Sequence, residues 1–204
     1  MGETEGSWGY SIGPSNAMKL QIADIVINHA LCDDPLLEIF ISLSGMEQKI
    51  ASPVVKVLNL KSGALANVIS SLSAQLSTRL DPQIASRLPD VISDYRKLST
   101  LRNEVAHGQW MPSPEGSDHA MLQSLLRKND DGSKFERRFS ASQLKEIAVG
   151  LAITLSALHV ILAILTSAIP SFAIAEAYRQ YDEVILRVKR SLLALPEPLA
   201  EEQP

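Results

Sequence analysis

The sequence is poor in cysteine, and Cys32 is its single thiol. One cysteine cannot form an internal disulfide, and it excludes a cysteine-rich metal site. The N-terminal stretch is acidic and rich in glycine and serine, and it lacks the apolar run of a secretory signal. These features lead us to expect a cytoplasmic protein in which Cys32 is a small buried apolar residue.

Aromatic residues are also scarce, at 5% of the chain, although apolar residues make up 46%. That apolar fraction allows a packed core, and the abundance of alanine, leucine and isoleucine favours helices packed on helices over a sandwich of strands. The chain also has no excess of basic over acidic residues, because its net charge is −4. An acidic chain does not suit avid, unspecific duplex binding, but it leaves room for a local basic groove.

Helical periodicity of the apolar residues runs through nearly the whole chain and predicts an all-α bundle. We expect one helical domain over residues 18–195, a flexible lead-in over 1–17 that could in part be a tag, and an acidic disordered tail over 196–204. Pro53 should interrupt one helix, and Pro89 should kink or restart another. Only residues 109–139 lack the period, and their turn at 129–132 predicts a small β-hairpin or an irregular insertion.

One long stretch, residues 147–175, carries no charge. Its length could span a bilayer. Polar residues and Pro170 divide it, however, and no basic clusters flank both ends to orient it in a membrane. We therefore interpret it as the central core helix, with His159 as a buried, hydrogen-bonded histidine. A membrane-associated helical protein is the alternative interpretation.

The most informative stretch closes the long helical segment before Gly108. It brings together an arginine, an amide, a carboxylate and an imidazole: Arg102, Asn103, Glu104 and His107. The glycine is typical of a helix end, so His107 should lie accessible in the last turn. Asn103 and Glu104 share a face with His107, whereas Arg102 points roughly 140° away from it. A two-fold dimer could complete the site, because symmetry offers each group twice.

Arg102-Asn103-x-x-x-His107 resembles the R-x-x-x-x-H signature of the HEPN superfamily. Asparagine directly after the arginine is a common variant there, and Ala-His-Gly, here residues 106–108, is a common close. The order of elements is also similar, with helices before the motif, an irregular insertion after it and then a long helix. The resemblance implies a small all-α fold of HEPN type. It also implies metal-independent RNA cleavage in the active members of the superfamily, with 2′,3′-cyclic phosphate and 5′-hydroxyl ends.

Metal-free cleavage needs a general base, a general acid and positive charge on the phosphorane. We expect His107 to serve as the acid/base, because imidazole titrates near neutrality, and Arg102 to clamp the phosphate bidentately. Asn103 would hold the ribose or orient His107, and Glu104 would orient His107 or be simply exposed. No metal and no other cofactor is expected, because the sequence shows no zinc spacing and no phosphate-binding loop.

The expected partners are RNA, a second copy of the chain and, for a ribonuclease of toxin or defence type, an antitoxin protein. Arg137 and Arg138 in the hairpin are candidate substrate-binding residues, although an ordinary solvated hairpin would also carry them. Two alternatives stay open. The chain could be a non-catalytic HEPN-like module that binds a nucleotide or a protein, or Arg102 and Glu104 could be solvated charges with His107 as a helix cap.

Overall fold

The structure is a computed structural model that describes residues 13–112, 118–128, 134–166 and 171–193. The described part is all-α with one small sheet, which confirms the predicted fold class. The predicted tail, most of the lead-in and the turn at 129–132 lie outside the described residues. The elements in chain order are α1 (Asn16–Leu31), α2 (Asp33–Ser44), α3 (Gln48–Val57), α4 (Ser62–Leu76), α5 (Pro82–His107), β1 (Gln109–Pro112), β2 (His119–Lys128), β3 (Lys134–Ser140), α6 (Ala141–Leu165) and α7 (Ser171–Leu193).

Polar side chains fix where several helices begin. Ser15 caps α1 by accepting from the Met18 amide, and Asp81 caps α5 by accepting from the Gln83 amide at 2.8 Å. Ser140 forms a capping box with Gln143 at the start of α6. Each cap satisfies amides that have no partner inside their own helix, so these boundaries follow from local chemistry.

Neither proline inside a helix ends it. The predicted interruption at Pro53 is therefore wrong, and of the two alternatives predicted for Pro89, a kink or a restart, the restart is wrong. α3 continues through Pro53 and α5 continues through Pro89. Both rings lie on exposed positions, and Leu88 and Val91 on either side of Pro89 are buried. A proline removes one backbone hydrogen bond, and the tertiary contacts of the buried face hold the helix together around that loss.

The long apolar helix α6 lies at the centre of the bundle and packs against α1, α2, α5 and α7. By length and hydropathy it is the one helix in the described part of the chain that could cross a membrane, and 44% of its most apolar stretch is buried within the fold. Gly150 allows the close packing there, because an added Cβ would meet Val188 at 3.0 Å and Leu98 at 3.2 Å. His159 is exposed, so its predicted burial is wrong; its Nδ1 lies 3.0 Å from the Leu155 carbonyl.

The three strands form an antiparallel sheet in the order β1-β2-β3, and the predicted hairpin is β2 with β3. The sheet packs against the end of α5. The Trp110 indole nitrogen donates to the Val105 carbonyl at 3.0 Å, and its ring lies 5.8 Å from the Phe139 ring, centroid to centroid. One of the last carbonyls of α5, which no helical amide reaches, is thereby satisfied by a side chain of the sheet.

Gly108 ends α5 for a different reason from the one that the sequence suggested. Its φ of −81° and ψ of 155° are extended, so it does not use the left-handed conformation of a glycine cap. An added Cβ would instead lie 2.6 Å from Cγ of Leu122 on β2 and 2.9 Å from the Glu104 carbonyl. The glycine is therefore required by the close approach of the sheet to the helix end.

Gly108→Ala is expected to lower the free energy of unfolding by about 1–3 kcal/mol, because the methyl group overpacks the contact with Leu122. Gly63→Ala is the matched control. Nothing lies within 4 Å of a Cβ at Gly63, and the substitution removes a glycine from α4, so it should be neutral or stabilising by up to about 1 kcal/mol. Urea unfolding of both variants measures the difference. Equal stability of the two would contradict this account of Gly108.

Candidate functional site

The last two turns of α5 carry the four residues that the motif singles out. Arg102 and Glu104 are partly buried, whereas Asn103 and His107 are exposed. The helix stays regular to its end, where the Gly108 amide donates to the Glu104 carbonyl at 2.9 Å. Arg102 and His107 therefore keep the angular separation of an ideal helix, roughly 140°.

Arg102 lines a cleft of about 580 Å³ between the helices. The apolar lining residues come from α1, α2, α3, α4 and the segment before α4: Ala30, Leu37, Val55, Leu60, Ala64 and Leu65. The polar lining residues come from α1, α2, the start of α4 and α5: His29, Asp33, Asp34, Lys61, Ser62, Ser99, Arg102 and Asn103. His107 is not among the lining residues, so a single copy of the chain brings Arg102 and Asn103 together in the cleft without the imidazole.

The Arg102 guanidinium is only partly satisfied by the protein. Its Nη1 donates to the Asn103 side-chain oxygen at 3.0 Å. Its Nε is buried and has no hydrogen-bond partner among the described residues. A buried donor without an acceptor costs about 1–3 kcal/mol. The accessible remainder of the Arg102 side chain is the part that lines the cleft.

A second imidazole, that of His29, lines this cleft, and no sequence motif singles it out. Its Nε2 is 2.9 Å from the Ser99 hydroxyl and 3.1 Å from the Tyr95 hydroxyl, and its ring stacks on that of Tyr95. The sequence does indicate a polar face on α5, because Tyr95, Ser99 and Arg102 are spaced by four and three residues. Nothing in the sequence alone indicated that α1 would supply the histidine opposite them.

The surroundings of His29 oppose its protonation. Burial lowers the pKa of His29 below its ordinary value of 6.5, and the nearby positive charge of Arg102 lowers it further, while the Asp33 carboxylate acts in the opposite direction. The neutral imidazole is therefore favoured in the folded chain.

The free energy of unfolding is expected to fall as the pH drops below about 6.5, because the unfolded chain then takes up a proton that the folded chain resists. The stability that the neutral His29 contributes is fully present above that pH. Below it, this residue lowers the free energy of unfolding by at most about 1.4 kcal/mol per pH unit. Urea unfolding of wild type and His29→Gln between about pH 7.5 and 5 isolates the effect, since the variant lacks the titrating group. Parallel pH profiles of the two proteins would contradict it.

Glu104 is joined to the sheet. Its carboxylate accepts from Nη1 of Arg137 at 2.8 Å, and both side chains are largely buried. Arg137 also lies over the Phe135 ring, with its guanidinium carbon 5.2 Å from the ring centroid. Arg138 is adjacent to Arg137 in β3, so the two predicted substrate-binding arginines point to opposite faces of the sheet.

Two further features bear on reactivity. Cys32 is fully buried, as expected, and burial raises the pKa of its thiol to about 12, which leaves it protonated. Within the described ranges, no group of three or more histidine, cysteine, aspartate or glutamate side chains is arranged to hold a metal ion.

Comparison of the chain with protein-family models, with curated proteins and with solved structures found no match. The fold and the site together define a helical-bundle protein with a polar cleft, in which α5 directs an arginine and an amide into the cleft and ends on an exposed histidine.

Proposed function

We propose that the chain is a metal-independent endoribonuclease of toxin or defence type, in which Arg102 and His107 act on the phosphodiester. The observation that carries the proposal is the position of the Arg102 side chain, which is partly buried and lines a cleft of about 580 Å³ together with Asn103. A guanidinium stays charged at every physiological pH and donates through several N–H groups, which suits the binding of a phosphate.

The exposed His107 is the acid/base of this scheme. A base removes the proton of the ribose 2′-hydroxyl, the 2′-oxygen attacks phosphorus, and an acid protonates the leaving 5′-oxygen. The products are a 2′,3′-cyclic phosphate and a 5′-hydroxyl. Asn103 lines the cleft beside Arg102, and in this scheme its amide holds the ribose.

A second copy of the chain completes the site. Because α5 stays regular, Arg102 and His107 of one copy point to different sides, and a two-fold partner supplies the missing group to each. In this arrangement Arg137 fixes the sheet to the end of α5 through Glu104, and Arg138 on the opposite face of β3 is the arginine of the pair that faces RNA.

The test is incubation of the purified full chain with total RNA in EDTA, with the ends of the fragments analysed chemically. The proposal expects cleavage that EDTA leaves unchanged, with 2′,3′-cyclic phosphate ends. Absence of cleavage by the wild-type protein at micromolar concentration, with and without added divalent cations, would reject it.

The volume and the charged lining of the cleft favour a second candidate function, that of a non-catalytic module that binds a nucleotide. Its volume of about 580 Å³ lies in the range of small-molecule sites. The lining carries both signs of charge, with Arg102 and Lys61 suited to a phosphate, and Asp33 and Asp34 suited to the amino groups of a base. His107 lies outside the cleft, as a purely binding site would allow.

The two functions differ in what His107 does. Calorimetric titration with nucleoside monophosphates should show binding that Arg102→Ala weakens and His107→Ala leaves intact if the chain is a binding module. Cleavage of RNA that both variants lose would instead identify the ribonuclease.

A further inference from the structure

His29 and Ser99 form a hydrogen-bonded pair in the lining of the cleft that also holds Arg102. The Nε2 atom of His29 lies 2.9 Å from the Ser99 hydroxyl, and both side chains are among the lining residues. Ser99 lies three residues before Arg102 on α5, so the two share a face of that helix. A phosphodiester held by the Arg102 guanidinium would therefore lie near the Ser99 hydroxyl and the imidazole of the same copy.

The ionisation state of His29 suits one of the two proton transfers that RNA cleavage needs. The proposed scheme gives both transfers to His107, which does not line the cleft. A general base must be unprotonated before it acts. Burial and the charge of Arg102 both lower the pKa of His29 below its ordinary value of 6.5, so its imidazole is neutral at neutral pH, as a base requires.

We propose that His29 is the general base of the cleft and takes the proton of the ribose 2′-hydroxyl through Ser99. The assignment rests on the proposed ribonuclease function, whose base it names. The 2′-hydroxyl gives its proton to Oγ of Ser99 while Ser99 gives its own proton to Nε2 of His29. The 2′-oxygen attacks phosphorus, and the bond from phosphorus to the 5′-oxygen breaks. The 5′-oxygen takes a proton from His107, and both imidazoles return to their starting forms by exchange with solvent.

The surroundings of His29 hold its ring in place and respond to a bound substrate. The ring stacks on that of Tyr95, and the Tyr95 hydroxyl lies 3.1 Å from the same Nε2. The Asp33 carboxylate favours the protonated imidazole, whereas Arg102 opposes it. An anionic phosphodiester bound by Arg102 offsets that opposing charge, so His29 accepts a proton more readily when the substrate is present.

A histidine that serves only to satisfy buried hydrogen bonds is the other interpretation of this pair. Such a histidine could carry its proton on either nitrogen. The base must carry it on Nδ1, so that Nε2 accepts from the Ser99 hydroxyl. Nitrogen-15 NMR of the free protein at neutral pH distinguishes the two tautomers, and we expect the proton on Nδ1.

Two substrates separate the base from the acid. One is a ribodinucleotide, whose leaving 5′-oxygen needs a proton, and the other is a ribonucleoside 3′-(p-nitrophenyl phosphate), whose phenolate leaves without one. Both contain the 2′-hydroxyl, so both need the base. His29→Gln should lower cleavage of both substrates by about 10²–10⁴-fold, whereas His107→Ala should lower that of the dinucleotide only.

Substitution of the serine tests the relay. Ser99→Ala keeps the imidazole and removes the hydroxyl, so it should lower both rates at least about tenfold. Ser73→Ala is the matched control, because Ser73 is a buried serine of α4 that does not line the cleft, and it should leave both rates unchanged. Circular dichroism and calorimetric titration with nucleoside 3′-monophosphates check that the His29 and Ser99 variants keep the fold and the binding site.

Rescue by small bases distinguishes catalysis from a structural role. His29→Ala leaves space for an imidazole supplied from solution. A series of substituted imidazoles should restore cleavage at rates that rise with their basicity, because proton transfer follows Brønsted behaviour. A molecule that only filled the space would restore cleavage according to its size.

Four results would overturn the assignment of His29. They are a proton on Nε2 in the free protein, cleavage of the dinucleotide by His29→Gln at the wild-type rate, recovery of His29→Gln on the p-nitrophenyl substrate, and rescue that follows the size of the added base. In each of the last three the wild-type protein cleaves, so only the assignment of His29 fails. Absence of cleavage of both substrates by the wild-type protein would instead reject the ribonuclease function, and the assignment with it.

Discussion

Alanine at His107 is expected to lower the rate of RNA cleavage by about 10²–10⁴-fold, the range that a general acid–base group contributes. Alanine at Arg102 should lower it by about 10²–10³-fold, the range for loss of one donor that stabilises transition-state charge. Both side chains sit at the end of a helix whose buried face is formed by other residues, so the helical spectrum and the melting temperature should stay close to those of wild type. A gel assay on total RNA in EDTA resolves losses of this size. Wild-type rates in His107→Ala would reject His107 as the acid/base, whereas absence of cleavage by both proteins would favour the nucleotide-binding function.

Conservative variants separate the roles of the two residues. His107→Lys keeps a cation but is a poor acid–base catalyst near neutral pH, so it should be as inactive as His107→Ala. Retained activity would mean that His107 acts as a phosphate-binding cation. Arg102→Lys keeps the charge and loses the bidentate fork, so it should bind RNA and cleave it slowly.

Glu104→Gln probes the link between the helix end and the sheet. The amide keeps one acceptor for Arg137 and loses the negative charge of a largely buried pair. The sequence alone left open whether Glu104 orients His107 or is simply exposed. A stability loss larger than the activity loss would assign Glu104 to fixing the sheet instead.

Replacement of Asp94 by alanine is expected to lower the free energy of unfolding by about 3 kcal/mol. Asp94 is 3% exposed on α5; its carboxylate accepts from the Tyr181 hydroxyl of α7 at 2.9 Å and lies 2.7 Å from Nζ of Lys189. Alanine leaves the buried hydroxyl without its acceptor and opens a cavity between the two helices. For a chain of this length the melting temperature should fall by about 6–12 °C.

Asp182→Ala is the matched control for Asp94→Ala, because Asp182 also pairs α7 with α5, through Arg87 at 2.8 Å. That pair is exposed to solvent, so its loss should cost at most about 1 kcal/mol. Calorimetric melting of the two variants compares the same helix pair with a buried and an exposed carboxylate. Similar melting temperatures of the two variants would show that the buried position of Asp94 adds nothing to its effect on stability.

The two-fold dimer is a prediction that rests on the spacing of Arg102 and His107 alone. Five residues on a regular helix separate Arg102 from His107 whatever the rest of the fold does, because the turn of an α-helix is fixed by its backbone hydrogen bonds. The exposure of one side of α1 could not be read from the sequence in the same way. Leu20, Ile27 and Leu31 look like core residues in the sequence, and only the packing of α1 on α5 and α6 shows that their side of the helix is left outside.

Local chemistry determined the helical class, the caps at Ser15 and Ser140, the hairpin and the place of the motif at the end of α5, because periodicity and capping act within a few residues of the chain. Only the tertiary structure decided that Pro53 and Pro89 are tolerated, that Gly108 makes room for Leu122, that Glu104 binds Arg137 and that His29 faces Arg102 across a cleft. These features join residues that are distant in sequence, and no local pattern specifies which buried surfaces will meet.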